Sequence, residues 1–157
     1  MKNSRNQALV LYLAAVLMCI HGIDAAGNSW NKIRFLGGTI QVKVERFDWN
    51  TTLTVKPDAL ILVFAARQTV RIKPAQVTSI SYGAEAIKRV TEVLSARKSA
   101  VPQSLPRPAN PSDHCVGIVY QAEDGTPGAI LLEPLKAICL DILQALKFVT
   151  GKPIEMS

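Results

Sequence analysis

Chemistry-bearing side chains are scarce in this sequence. Its 157 residues include two histidines and three cysteines, and His21 and Cys19 fall in an N-terminal leader. His114, Cys115 and Cys139 are left, one histidine and two distant cysteines, which is a poor zinc set. His114 and Cys115 are also poor partners for nucleophilic catalysis, because neighbours on a strand point to opposite faces. Gly37-Gly38 precedes a strand rather than a helix, so it reads as a turn and not as a phosphate cradle. No RNP-type pattern of aromatic residues occurs, and nucleic acid is not an expected partner. The uninterrupted apolar run Ala8 to Ile20 has thirteen residues, short of the roughly 20 that span a bilayer. Together these absences argue against an enzyme, a metal site and any cofactor.

What is present begins with the leader. Lys2 and Arg5 supply a basic start, the apolar run follows, and small residues stand at Ala25 and Ala26. Residues 1–25 read as a signal peptide, which predicts export to the periplasm or beyond; an uncleaved membrane anchor is the alternative. Without them the chain keeps 16 basic and 11 acidic residues, a net charge of +5. Export permits disulfides, but spacing alone does not pair Cys115 with Cys139. Two unpaired thiols are the expectation, with that bridge as the alternative.

Short strand signals fill the first half. Lys32 to Leu36 ends at Gly37-Gly38, read as a hairpin turn. Thr39 to Phe47 alternates cleanly and predicts a half-buried strand. Asp48-Trp49-Asn50 is a turn before the strand Thr51 to Val55. Ala59 to Ala65 is apolar enough to predict a strand covered on both sides or lying near the helix. Thr69 to Lys73 and Val77 to Tyr82 alternate again, so the strands predict an antiparallel meander. Ala84 to Ala96 switches to a helical stripe of Ile87, Val90 and Leu94, with Glu85 placed to meet Lys88 or Arg89. Pro102, Pro106, Pro108 and Pro111 then make residues 98–112 a flexible Pro-rich loop. Cys115 to Ala122 and Gly128 to Leu132 are the last two predicted strands.

Glu133 to Pro153 carries the strongest signal. Leu135, Ile138, Cys139, Ile142, Leu146 and Val149 recur at helical spacing, with Pro134 suited to the first turn and Gly151 to the left-handed cap. Burying that face would contribute on the order of 10 kcal/mol. The back of the same helix carries a second stripe, Ala137, Leu140, Gln144 and Phe148, a candidate partner or self-association surface.

The expected fold is therefore mainly β (α+β). About seven short antiparallel strands and a C-terminal amphipathic helix resemble a pleckstrin-homology-like (PH-like) barrel capped by its helix. A short helix and the Pro-rich loop would be inserted before the last two strands. The segments IRFLGGT (Ile33 to Thr39), DWNTTLTV (Asp48 to Val55), VTSISYGAEAIKRV (Val77 to Val90), HCVGIVY (His114 to Tyr120) and LKFVTGKP (Leu146 to Pro153) resemble uncharacterised exported bacterial proteins with a PH-like or GRAM-like domain. The resemblance implies one such domain over residues 26–157. It implies no catalytic residue or agreed ligand. Where those relatives carry a hydrophobic segment, this chain is charged and then proline-rich; if that segment embeds them in a membrane, the resemblance implies that this chain has lost the property.

The expected function is a non-enzymatic binding or scaffolding module of the bacterial cell envelope, with a protein, a peptide or an anionic headgroup as partner. The alternatives are a structural envelope component self-associating through the helix back and, in third place, a small hydrolase-type enzyme. The outward basic residues Lys32, Arg34, Lys43, Arg71 and Lys73 are the candidate anion site, weighed against an ordinary solvated sheet face. Asn50-Thr51-Thr52 matches a glycosylation pattern but reads as a hairpin turn.

Overall fold

The computed structural model describes residues 27–42, 48–65, 67–97 and 114–156. The leader, the Pro-rich loop and most of the expected strand Thr39 to Phe47 lie outside the described residues. Among those described, eight strands form one open mixed sheet with two helices. In chain order these are β1 (Asn28–Gly38), β2 (Thr51–Val55), β3 (Leu60–Val63), β4 (Thr69–Ile72), β5 (Val77–Tyr82), α1 (Ala84–Ala96), β6 (Val116–Gln121), β7 (Pro127–Pro134), α2 (Lys136–Thr150) and β8 (Ile154–Met156). The spatial order is β4-β3-β2-β1-β7-β6-β5-β8. The mainly β, α+β class is as expected. The sheet is not purely antiparallel, because β8 joins β5 in parallel.

One face of the sheet, called inner below, packs on α2. Ile33, Phe35, Leu53, Leu60, Leu62, Ile80, Ile118, Ile130 and Leu132 meet Cys139, Ile142, Leu143 and Leu146 in the main core cluster. On the other face α1 covers β6 and β7, where Ala86 and Val90 pack with Leu36, Cys115, Ala129 and Leu131 in a second cluster. Strand β7 is therefore buried on both sides, and its run Gly128 to Leu132 is apolar throughout for that reason. Gly117 lets α1 come close: a Cβ there would lie 2.6 Å from Ser81 Oγ and 3.1 Å from the Ala86 backbone.

Several local expectations need correction. Gly37 and Gly38 are not a hairpin turn; they close β1 and pair with Leu131 and Ile130 of β7. The chain bends afterwards at Thr39 and Ile40. Thr39 to Val42 is outside any strand, although Ile40 and Val42 still pack on the core. Of the two readings of Ala59 to Ala65, packing near the helix holds and cover on both sides does not: Leu60 and Leu62 are buried in the cluster with α2, while Val63 is 36% exposed. Pro134 ends β7, so α2 starts one turn's fraction later, with Leu135 as its cap residue and 38% exposed. Gly151 closes α2 at φ 67°, as its position predicts. Helix α1 spans the expected residues, with Glu85 Oε1 3.1 Å from Arg89 and 3.5 Å from Lys88.

A bulge shapes the start of β1. Trp30 faces Leu53 and Ile33 faces Thr51, so three steps on β1 match two on β2. Lys32 takes up the extra residue at φ 58°. Both Trp30 and Ile33 thereby point to the inner face, which places Trp30 beside the last turns of α2.

Candidate functional site

The two faces of α2 are chemically distinct. Cys139, Ile142, Leu143 and Leu146 are buried against the sheet. Ala137, Leu140, Gln144 and Phe148 are all exposed, and Leu140 and Phe148 are 63% and 85% exposed. A leucine and a phenylalanine at that exposure, eight residues apart on one face, form an apolar strip about two turns long. Burial has selected the inner face; among the described residues nothing covers the outer one.

Beside the strip runs an open groove of about 770 Å³ between the C-terminal half of α2 and the β1–β2 pair. Trp30, Val55, Ala145 and Val149 give it apolar walls, with Asp141 and Gln144 adding polar groups and Phe148 at its lip. The groove was not visible in the sequence. It depends on the β1 bulge, which turns Trp30 inward, and on the approach of α2 to β2.

The four described candidate cations do not gather into one site. Lys43 lies outside the described residues. Arg34 is partly buried, with its guanidinium 4.4 Å from the Trp49 ring centroid and its Nε 3.4 Å from Glu133 on β7. Arg71 pairs with Asp58 at 2.7 Å and Lys73 with Glu123 at 3.1 Å. The row of residues through Arg71 crosses Ile61 and Thr54 to reach Ser29, five positions before Arg34. Lys32 stands apart at the bulge. Exposed pairs such as Arg71–Asp58 contribute about 0–1 kcal/mol, but each carboxylate offsets the charge an anion would meet.

His114 and the two thiols form the remaining polar cluster. His114 Nδ1 is 2.9 Å from the Tyr82 hydroxyl, and Cys139 Sγ is 3.9 Å from the His114 carbonyl oxygen. Cys115 and Cys139 are both buried and reduced, in different core clusters. Burial pushes the Cys139 thiol up to about 11, nearby Cys115 adds to the shift and the Tyr82 hydroxyl opposes it. Such a thiol is a weak nucleophile at neutral pH. In the chain lacking residues 1–25, both thiols should resist a disulfide reagent at pH 8. Unfolding in denaturant should speed the reaction by roughly a thousandfold or more, matching an unfolded fraction of about 10⁻³ or less. Equal rates with and without denaturant would contradict the burial. Among the described residues no group of three His, Cys, Asp or Glu side chains could hold a metal ion, and no helix is long and apolar enough to cross a membrane.

Comparison with known proteins adds the fold and little else. No family model matches the chain, and no curated protein does. Solved structures do match. A chain of the 8S snRNP assembly intermediate superposes with a TM-score of 0.52 at 12% identity, over 83% of this chain and 85% of that one. A chain of the Spt16D Pob3N heterodimer gives 0.47 at 10% identity, over 85% of this chain; the match spans 55% of that chain's length. At these identities the likeness concerns backbone architecture alone.

Proposed function

We propose that this chain is a non-enzymatic binding module that holds a protein or peptide partner on the outer face of α2 and in the groove beside it. The observation that carries the reading is the exposure of Phe148 and Leu140 on a helix whose opposite face is fixed in the core. Large apolar side chains at the centre of a surface strip, with an adjoining apolar cleft and a polar rim, match the anatomy of a protein interface. An anionic headgroup fits less well, since Arg34, Arg71 and Lys73 already face carboxylates.

We infer further that the sheet is a PH-like barrel. A PH-like barrel is supported by the strand order β4-β3-β2-β1-β7-β6-β5 and by a C-terminal helix against the inner face. The kinship with exported bacterial PH-like or GRAM-like proteins rests on the segments quoted above. Export rests on the basic start and apolar run of the leader. We place the module in the cell envelope on that basis.

Photo-cross-linking in the native cells tests the binding face. Benzoylphenylalanine at position 148 should give a discrete adduct that the same probe at exposed Glu92 on α1 does not. A band at twice the protomer mass would move the reading to self-association through α2. Matching patterns at the two positions would remove it.

A further inference from the structure

Strand β8 is the shortest member of the sheet described. It has three residues and one neighbour, with the parallel register Ile80↔Ile154, Ser81↔Glu155 and Tyr82↔Met156. Every other pairing described is antiparallel. The contacts that seat it alternate with the strand period. Ile154 packs, half-buried, against the main core cluster on the inner face. Glu155 points the other way, its Oε2 accepting from Arg89 Nε at 2.8 Å and its Oε1 accepting from Ser79 Oγ at 3.1 Å. Met156 is 69% exposed.

The site that receives β8 engages it through its backbone and both its faces. Arg89 sits on α1 and is held in place by Glu85 at 3.1 Å and Glu92 at 3.5 Å as well as by Glu155. Glu155 is the leading cause of the raised Arg89 pKa. The slot thus has three separate readers: the edge backbone of β5, an apolar seat on one side, and an arginine and a serine hydroxyl on the other. None of them depends on the incoming strand being joined to α2. Strand addition at a sheet edge works in this way, with main-chain hydrogen bonds for affinity and alternate side chains for selection.

We propose that the outer edge of β5 is a strand-accepting site for an extended peptide of the pattern apolar–acidic, and that β8 is its resident, displaceable occupant. A partner segment of that pattern takes the place of residues 154–156, its carboxylate on Arg89 and Ser79. This surface is separate from the outer face of α2 and does not rest on the reading given for that face.

The test compares the full chain with a chain ending at Lys152, each titrated with a synthetic peptide of residues 151–156 up to millimolar concentration. Backbone amide shifts of Ser79 to Tyr82 are the readout. The shortened chain should bind about tenfold more tightly or better, because a tethered strand competes at an effective concentration of order millimolar. The peptide carrying Glu155→Lys should lose about tenfold or more, as expected when like charges are set against each other in a site. Absence of shifts in β5 of a folded shortened chain overturns the proposal, as does equal binding by the two chains or by the two peptides. Should the shortened chain lose its amide dispersion, the full chain with Ile154→Ala and Glu155→Ala replaces it. That variant must then take up the wild-type peptide at β5 more tightly than the parent, and failure to do so overturns the proposal equally.

Discussion

Gly38→Ala is expected to destabilise the fold by about 4 kcal/mol, measured as a lower urea midpoint at unchanged slope. Two causes add. Gly38 has φ 153°, a region L side chains rarely occupy, and strain of this kind costs about 1–3 kcal/mol. A Cβ at this position would also lie 2.2 Å from the Ala129 carbonyl oxygen and 3.0 Å from Ile130 Cα. That obstacle is backbone, so no rotamer change relieves it, and overpacking of this sort costs about 1–3 kcal/mol more. The disturbance falls where β1 meets β7, the pairing that joins the β1–β4 meander to the β5–β7 half. Thr39 N donates to Ala129 O at 2.8 Å beside it, and Ala129 N to Thr39 Oγ1 at 3.0 Å, so both bonds would be disturbed. A domain of ordinary stability, about 5–15 kcal/mol, would lose a large fraction of it. A loss below about 1 kcal/mol, or a gain of the size glycine-to-alanine gives at unstrained positions, about 0.4–1 kcal/mol, would contradict the close approach of β1 to β7.

Leu146→Ala should cost about 2–5 kcal/mol, the usual range for a leucine truncated in a core. Leu146 is 0% exposed and packs in the main cluster between α2 and the sheet. Leu140→Ala, on the same helix and with the same atoms removed, should stay within about 0.5 kcal/mol, because Leu140 is 63% exposed. The contrast between the two is more informative than either value. Equal losses would mean that the helix packs on another face or that its outer side is covered.

Much of this architecture was legible in the residues, and the failures share a cause. Ala84 to Ala96 and Val77 to Tyr82 were readable because periodicity and punctuation agree locally: an alternating strand, a glycine, then a helical stripe. The apolar seam of α2 follows from spacing, except that Leu143 joins the core and Leu135 does not. Gly37-Gly38 misled because glycine serves either a turn or a close approach, and only the partner strand decides which. Strand β8 leaves no signal in the sequence because three residues carry no period and its pairing with β5 is non-local. The polar sites show the same limit. Alternation tells which face a basic side chain takes, and Arg71 and Lys73 do point outward. It does not tell that Asp58 and Glu123, on other segments, will stand opposite them. The groove beside α2 needed the bulge at Lys32, which no spacing rule announces.

On the function proposed above, the inner face of α2 holds the fold while the outer face receives a partner. Cross-linking from position 144, in wild type and in Phe148→Asp, tests it most directly, because Gln144 lies on the exposed strip without carrying its apolar contact. The claim predicts an adduct from the wild type that disappears in Phe148→Asp while the urea midpoint of the two proteins stays within about 0.5 kcal/mol. An adduct that survives Phe148→Asp unchanged would contradict it.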